Sequence, residues 1–170
     1  RFRNVTGVQT CALPIYSIRS VNVLQAMILT EVGGANRMVL TPTYHVFEMY
    51  KRHMDATHIP LDLRADNYIV EGKVLPSLSA SASQSESGDI TVTLSNLHAD
   101  QSQDVSIDTG TSASRLVEAR VLAGTSLNDH NSFDQPDRLK PRPLSGVSVA
   151  GGTITLTLPP RSVAAVCVAG

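Results

Sequence analysis

The stretch VNVLQAMILTEVGGANRMVLTPTYHVFEMYKRHMD, residues 21–55, decides how the whole chain is interpreted. Its opening part, residues 21–29, is an apolar run whose β-branched and long aliphatic side chains are typical of a strand buried on both faces. A loop with Gly33 and Gly34 follows, and from Pro42 onward the side chains of one face recur at three- and four-residue intervals. A strand, a loop and a helix in this order predict one βα unit.

The predicted helix has suitable residues at both of its ends. Pro42 fits the first helical position, because it has no N–H group to leave unpaired, and Thr41 can cap the N–H groups that follow. Lys51, Arg52 and His53 fall in the last turn, where positive charge is favourable with the helix dipole. We therefore expect the helix to run from Pro42 to about His53.

The chain from residue 59 onward has the pattern of an all-β domain. Apolar and polar residues alternate most clearly in ITVTLS, residues 90–95, and again in TITLTL, residues 153–158, as in half-buried strands. The serine-rich stretch at residues 79–88 is interpreted as a strand and a turn rather than a linker, because its small apolar residues also alternate. Further strands are predicted from Tyr68 to Leu75 and, as the last strand, from Ser162 to Val168. In all, seven or eight short strands, spaced by about 8–12 residues, predict a β-sandwich of jelly-roll or immunoglobulin-like type.

Length and composition limit the possible classes of protein. The chain has 170 residues and a net charge of −1, and 42% of its residues are hydrophobic. A complete (β/α)₈ barrel needs about 250 residues and does not fit. The absence of excess positive charge argues against nucleic acid and anionic membranes as partners, and no apolar run reaches the ~20 residues of a spanning helix. Cys11 and Cys167 lack the spacing of a metal site, and Cys167 is predicted to be a buried free thiol.

Residues 1–20 fit neither predicted part of the chain. The string VTGVQTCALPI, residues 5–15, resembles the translation of a common sequencing-adapter oligonucleotide. We expect this segment to be an artefact or disordered, and we exclude it from the fold; a genuine N-terminal arm is the alternative. The expected organisation is thus residues 1–20 outside the fold, residues 21–58 as a βα unit and residues 59–170 as a β-sandwich.

Four segments together resemble a known family. VNVLQAMILT, MVLTPTYHVFEMYKRHMDAT, LNDHNSFDQPDRLKP and LPPRSVAAV occur in the order found at the C-terminal end of α-L-arabinofuranosidases of glycoside hydrolase family fifty-one, and the resemblance covers roughly residues 21–170. It implies an α+β fragment that is mainly β: the last βα unit of a (β/α)₈ barrel, followed by a C-terminal jelly-roll-like sandwich. It further implies a retaining glycoside hydrolase that releases terminal α-L-arabinofuranosyl groups from arabinan or arabinoxylan. The full-length enzyme would need no cofactor and would be a homo-oligomer.

The resemblance also implies that this chain has no catalytic residue. Retaining hydrolysis needs two carboxyl groups about 5–5.5 Å apart, and the family's two catalytic glutamates end the fourth and seventh barrel strands, upstream of this chain. We therefore assign no residue to catalysis, to substrate binding or to a metal, and we predict that the chain itself is inactive. Glu31 ends the predicted strand, where barrel enzymes place their active sites, but a solvated acid at a loop edge is favoured. Glu48 is expected to pair with Lys51 and Arg52 on the helix surface.

The longest irregular stretch is SLNDHNSFDQPDRLKPRPLSG, residues 126–146. Asp129, His130, Asn131 and Asp134 could form a metal or acid–base site, but one histidine with acids in a loop is weak evidence for it. The resemblance instead implies a docking loop along the domain interface, in which Phe133 is buried.

The alternative function is a non-catalytic β-sandwich that binds carbohydrate or protein. It is disfavoured, because Tyr68 and Phe133 are the only aromatic residues after residue 59, and sugar stacking requires aromatic surfaces. The helix carries a second aromatic group, namely Tyr44, Phe47 and Tyr50, which we interpret as a packing face against the barrel wall or the β-domain rather than a platform for sugar.

Overall fold

The structure, a computed structural model, describes residues 26–31, 37–112 and 115–170. Residues 1–20, Cys11 among them, and the first part of the strand predicted at 21–29 lie outside this range. The described residues form one short helix and several antiparallel sheets in a sandwich-like, mainly β arrangement.

The strands are numbered here in chain order. They are β1 (Ile28–Thr30), β2 (Met38–Leu40), β3 (Thr57–Ile59), β4 (Asn67–Val70), β5 (Lys73–Pro76), β6 (Leu78–Gln84), β7 (Ile90–Asn96), β8 (Gln103–Asp108), β9 (Leu116–Ala123), β10 (Arg142–Pro143), β11 (Ser148–Ala150), β12 (Thr153–Leu158) and β13 (Ser162–Val168). The helix α1 (Pro42–Tyr50) lies between β2 and β3, and a 3₁₀ turn at Lys51–His53 follows it. No helix of the described residues is long and apolar enough to cross a membrane.

The segment in front of α1 is a hairpin. β1 pairs with β2 in antiparallel register, so that Ile28 lies opposite Leu40. Of the strand predicted at 21–29, the described part is β-structure only from Ile28 onward. The sequence pattern does not predict β2, whose three residues fall between the predicted strand and the predicted helix.

The start of α1 agrees with the prediction, whereas its end does not. The Tyr44 N–H group donates to Thr41 Oγ1 at 3.5 Å, and Pro42 stands in the first turn. The Thr41 hydroxyl also lies 2.6 Å from the carbonyl oxygen of Ala26, which ties the helix start to the chain before β1. The α-helix ends at Tyr50, so the three basic residues expected in its last turn lie in the 3₁₀ turn.

Two sheets face each other across the main core. The larger sheet has the strand order β10-β9-β13-β7-β6-β3 and the smaller one β11-β12-β8, with all neighbouring strands antiparallel. Their inward side chains form one apolar cluster, in which Ile154, Leu158 and Val166 are completely buried. Removal of this apolar surface from water is the main source of stability for the sandwich.

The strand β7 is more deeply buried than its alternation predicts. Val92 and Leu94 face the core, as expected, but Thr91 and Thr93 on the opposite face are also buried, with 4% and 1% of their surface exposed. The 3₁₀ turn after α1 lies over Thr93, because the His53 ring contacts its hydroxyl group at 3.1 Å. The interpretation of a half-buried strand was therefore wrong, since both faces of β7 are covered.

Other strand predictions agree with the structure in part. The serine-rich segment forms β6 and a turn, and the last predicted strand is β13. A single strand was expected from Tyr68 to Leu75, but the chain folds back there into the hairpin of β4 and β5. Glu71 and Gly72 form its turn, both with positive φ (48° and 76°), as in the tight turns that connect twisted hairpin strands.

Candidate functional site

The candidate functional site is the junction at which α1 and the 3₁₀ turn meet the sandwich. α1 contacts β9 and β13 on the outer face of the larger sheet. Met49, which is 3% exposed, packs there with Leu122, Leu139 and Ala165 in a second apolar cluster. The larger sheet therefore separates two packed layers, the main core on one side and the junction on the other.

Two ion pairs cross the junction. The Glu48 carboxylate accepts two hydrogen bonds from Arg120 Nη1 in β9, at 2.8 and 3.0 Å, which hold the pKa of Glu48 below its usual range. Arg52 Nη2 lies 2.8 Å from Glu118 Oε2, and this contact raises the pKa of Arg52. The pairing of Glu48 with Lys51 is confirmed at 3.4 Å. The expected pairing of Glu48 with Arg52 is wrong, because Arg52 turns toward the sheet.

The sandwich partners of these pairs, Glu118 and Arg120, are not predicted by the sequence pattern. Glu118 and Arg120 are two residues apart in β9, so both point to the same face of the strand. A negative and a positive charge at this spacing in an otherwise apolar strand indicate a face that meets other charges. The pattern does not reveal that those charges come from α1.

A cavity of about 190 Å³ lies between α1 and the sheet, with Met49, Arg52 and Arg120 among the residues that line it. Cys167 also lines this cavity and is a buried free thiol, as predicted. The acidic and basic groups at the cavity are already bonded to each other, and Lys51 adds one positive charge. The arrangement therefore holds two structural elements together.

His53 closes one end of the junction. Its Nδ1 lies 2.6 Å from Ser83 Oγ and its Nε2 lies 3.1 Å from Thr93 Oγ1, so that both ring nitrogens bond to hydroxyl groups of the sheet. The Tyr50 ring stands edge-on to it at 5.9 Å. Burial lowers the pKa of His53.

His45 lies at the other end of the junction and is 7% exposed. Its Nε2 is buried and has no hydrogen-bond partner among the described residues. Burial is the main cause that lowers its pKa, and the nearby Glu48 acts in the opposite direction. The neutral form of the His45 ring is favoured at this position, since the charged form would need a hydrogen-bond acceptor at Nε2.

The loop at residues 124–141, called here the docking loop, contacts the segment that leads into α1. The Asn131 side chain donates to the carbonyl oxygens of Leu40 and Leu139, at 2.8 and 2.9 Å, and accepts from the Leu139 N–H group at 2.7 Å. This contact agrees with the expected docking role. The loop ends earlier than the predicted 126–146, because Arg142–Pro143 pairs with β9 as β10.

Asp129 organises the docking loop from within. Its carboxylate accepts hydrogen bonds from the Thr125 hydroxyl and N–H groups, from the Ser126 N–H group and from Arg138, at 2.6 to 3.2 Å. These bonds, with that of the Thr125 side chain the largest cause, hold the pKa of Asp129 well below its usual range. His130 is exposed and lies beside the Asn128 carbonyl. The described residues contain no group of three or more acidic, histidine or cysteine side chains placed to hold a metal ion.

Glu31 is engaged in a two-point ion pair. Arg37 Nη2 lies 2.6 Å from Glu31 Oε1 and Arg37 Nε lies 3.0 Å from Oε2, while the Glu31 N–H group donates to the Arg37 carbonyl. Arg37 also reaches the docking loop, since its guanidinium stands 5.4 Å from the centre of the Phe133 ring. Phe133 is half-buried by this contact rather than fully buried as expected. The geometry gives Glu31 a structural role at the base of the hairpin.

The aromatic side chains of α1 do not all pack against the sandwich, which is one of the two surfaces expected to cover them. Tyr50 packs against the second apolar cluster, whereas Phe47 is 50% exposed. Tyr44 is half-buried and stands edge-on to the His45 ring at 5.6 Å.

A second, larger cavity of about 670 Å³ opens between the two sheets. It is lined by inward side chains of β6 and β7, by β8 and by residues 59–64. β8 pairs with β12 on one edge, and no described strand pairs with its other edge. The main core is therefore incomplete on the β8 side.

The comparisons with known proteins agree with this architecture. The family model of the α-L-arabinofuranosidase C-terminal domain matches residues 19–162. The chain is 42% identical over 144 residues to an intracellular exo-α-L-arabinofuranosidase of Bacteroides ovatus, across 84% of this chain and 27% of that protein. It is 37% identical to the family 51 arabinofuranosidase structure of Xanthomonas axonopodis pv. citri, with a TM-score of 0.80, across 86% of this chain and 29% of that one.

A more distant structure shares the fold. The α-L-arabinofuranosidase of Thermotoga maritima, solved as an arabinose complex, is 20% identical with a TM-score of 0.65, across 84% of this chain and 31% of that one. The sandwich with its docked helix thus defines the class, a C-terminal portion of family 51 glycoside hydrolases. The chain belongs to the α-L-arabinofuranosidase C-terminal domain family, which confirms the resemblance. It spans less than a third of the length of these relatives.

Proposed function

We propose that this chain is the C-terminal part of an α-L-arabinofuranosidase that removes terminal α-L-arabinofuranosyl groups from arabinan- or arabinoxylan-type polysaccharides with retention. The identity of 42% with the Bacteroides ovatus enzyme carries the proposal. In the full-length enzyme, which we propose to be a homo-oligomer, residues 21–58 complete a (β/α)₈ barrel and residues 59–170 form a jelly-roll-like domain.

The role of this part is to fix the last helix of the barrel on the sandwich. Three kinds of contact support the role: apolar packing around Met49, the ion pairs of Glu48 and Arg52, and the bonds of Asn131 from the docking loop. Together they tie α1 to three separate segments of the sandwich. A helix held in this way keeps the barrel wall in a constant position relative to the sandwich.

The catalytic glutamates belong to the rest of the enzyme. A retaining mechanism needs one protonated and one ionised carboxyl group on either side of the scissile bond. In the described part of the chain, Glu31, Glu48 and Glu118 each bond to an arginine, so each carboxylate is engaged in a structural contact. These residues are therefore poor candidates for such a pair.

The open side of the sandwich is the place where a further part of the enzyme fits. The unpaired edge of β8 offers backbone N–H and C=O groups, and the cavity beside it is lined by apolar side chains such as Val92 and Leu94. An extended segment from outside this chain would satisfy both features as one added strand. The relatives, which are about three times as long, have the additional chain that this requires.

A chimeric enzyme tests the proposal. The segment of the Bacteroides ovatus enzyme that matches this chain is replaced by residues 21–170, and hydrolysis of a chromogenic α-L-arabinofuranoside is measured. We expect the chimera to hydrolyse this compound and the separate 170-residue chain to show no turnover. A chimera that folds cooperatively and remains inactive would contradict the proposed role, and turnover by the separate chain would contradict the assignment of catalysis to the rest of the enzyme.

Carbohydrate binding by the sandwich itself is not favoured by the structure. The Tyr68 ring lies against His98, with 4.1 Å between the ring centres, and Phe133 lies beside Arg37. Both aromatic residues of the sandwich thus already contact other side chains.

A further inference from the structure

The two histidines of the junction lie at opposite ends of the contact between the helical segment and the sandwich. His45 is in the first half of α1, and His53 ends the 3₁₀ turn. Between them Met49 anchors the helix in the second apolar cluster. A change in the charge of both histidines therefore affects the contact at both of its ends.

The surroundings of His45 suit only the neutral ring. The charged groups that face it are Glu48 of α1, Arg120 of β9, and Asp137 and Lys140 of the docking loop, two acids and two bases. Glu48 is already bonded to Arg120, so it is only partly available to balance another positive charge. A proton on the buried Nε2 would have no acceptor among the described residues, and a buried donor without an acceptor is unfavourable.

The hydrogen bonds of His53 also suit the neutral ring. The Thr93 hydroxyl lies 3.4 Å from the Ser81 carbonyl, to which it can donate, and it then accepts from Nε2–H of His53. This leaves Nδ1 to accept from the Ser83 hydroxyl. A proton on Nδ1 would force the Ser83 hydroxyl to turn and to find another acceptor. The Tyr50 ring faces His53, and His58 of β3 lies opposite Ser83 in the sheet, on the face that His53 contacts. Burial is the cause that lowers the pKa of His53.

We propose that the junction is an acid-sensitive contact: protonation of His45 and His53 releases α1 and the 3₁₀ turn from the sheet while the sandwich stays folded. The main core does not share this sensitivity, because it is built from apolar side chains such as Leu94, Ile154 and Val166. This acid sensitivity belongs to the junction alone and does not depend on the substrate of the enzyme. In the proposed full-length enzyme, the same event would loosen the sandwich from the barrel.

The direction of the effect follows from proton linkage. The docked state lowers the pKa of both histidines, so the released state binds more protons. The docking of α1 and the 3₁₀ turn on the sheet is therefore most stable above the ordinary histidine pKa of about 6.5. It becomes less stable as the pH falls below that value. Over the interval in which both rings are protonated only in the released state, the docking equilibrium constant falls about a hundredfold per pH unit.

Cys167 provides a built-in reporter of release, because it lines the cavity beneath α1 and is 2% exposed. The 170-residue chain carrying Cys11→Ser is treated with a dithiopyridine reagent between pH 7.5 and pH 5. At each pH the rate is divided by the rate of the same chain unfolded in urea, which removes the intrinsic pH dependence of the thiol. We expect this ratio to rise at least tenfold below pH 6.5.

Two variants separate the histidines from other acid effects. His45→Gln combined with His53→Gln should make the ratio nearly independent of pH. His130→Gln, at an exposed position of the docking loop, is the matched control and should leave the pH dependence unchanged. A wild-type ratio that stays constant with pH, or one that rises equally in the double variant, would overturn the proposal.

Two further measurements keep the proposal testable if the double variant does not fold. In the wild-type chain, the His45 and His53 ring resonances should titrate with midpoints below 6.5, in the same interval as the rise in thiol reactivity. The backbone amides of β7 and β13 should remain protected from hydrogen exchange over that interval. Midpoints at or above 6.5, or loss of protection in these strands together with the thiol, would refute a local release.

Discussion

Asn131 connects the docking loop to the hairpin through a single side chain. It is 2% exposed, and its amide bonds to the backbone of Leu40 and Leu139, 91 and 8 residues away in the chain. A buried backbone N–H or C=O group that loses its hydrogen-bond partner lowers the free energy of unfolding. At the scale of single residues, the junction therefore depends on side chains that satisfy the backbone of another segment.

The substitution Asn131→Ala tests this dependence. It removes three hydrogen bonds and leaves the Leu40 carbonyl and both backbone groups of Leu139 without these partners. We expect a loss of about 2–4 kcal/mol in the free energy of unfolding, measured by urea denaturation. The control Asn128→Ala, at an exposed position of the same loop, should change it by less than about 0.5 kcal/mol. Equal effects of the two substitutions would show that the amide of Asn131 has no special role.

At the scale of elements, one of the contacts that hold α1 on the sandwich is apolar. Met49 is buried against Leu122, Leu139 and Ala165, whereas Phe47 on the same helix is half exposed. The contribution of each residue of α1 to the free energy of unfolding should thus depend on its position relative to the sheet rather than on the size of its side chain.

Met49→Ala and Phe47→Ala form a matched pair for this argument. Met49→Ala should lower the free energy of unfolding by about 2–4 kcal/mol, because it leaves a cavity against the sheet. Phe47→Ala removes a larger side chain from a more exposed position and should cost under about 1 kcal/mol in the separate chain. Thermal or urea denaturation followed by circular dichroism gives both values. A larger loss for Phe47→Ala would show that α1 docks in another orientation.

The same scale shows what the sequence was able to predict. The alternating patterns of β6 and β12 located these strands, because one face of each meets the core. The turn of Glu71 and Gly72 was missed, because the residue pair needs positive φ at both positions and only glycine adopts it readily. The alternation of apolar and polar residues in a strand also does not indicate whether another element covers the outer face of the sheet. The burial of Thr91 and Thr93 by a helical segment was therefore not expected.

The candidate site was less predictable than the fold. The helix pattern placed Glu48 and Arg52 near each other on the predicted helix, but their sandwich partners are 72 and 66 residues away. A single sequence indicates which face of an element is polar without identifying the element that covers it. The docking loop was predicted from its resemblance to a family, since its charged and proline-rich sequence has no periodicity to interpret.

At the scale of the whole molecule, the described chain has the features of a part rather than of a complete enzyme. β8 has an unpaired edge beside a cavity of about 670 Å³, and the acids near α1 are engaged in ion pairs. Both features are explained if the remaining chain supplies a further strand and the catalytic carboxylates. The relatives, of which this chain covers less than a third, are long enough to contain both.

The most direct measurement is long-read sequencing of the genomic DNA across the codons that precede Val21. We predict that the reading frame continues upstream into a (β/α)₈ barrel with a glutamate at the ends of its fourth and seventh strands, and that the string at residues 5–15 is absent from the genome. A gene that begins with this string intact would contradict the account. The chain would then be a free-standing sandwich with a helical arm, and an interaction role would replace catalysis.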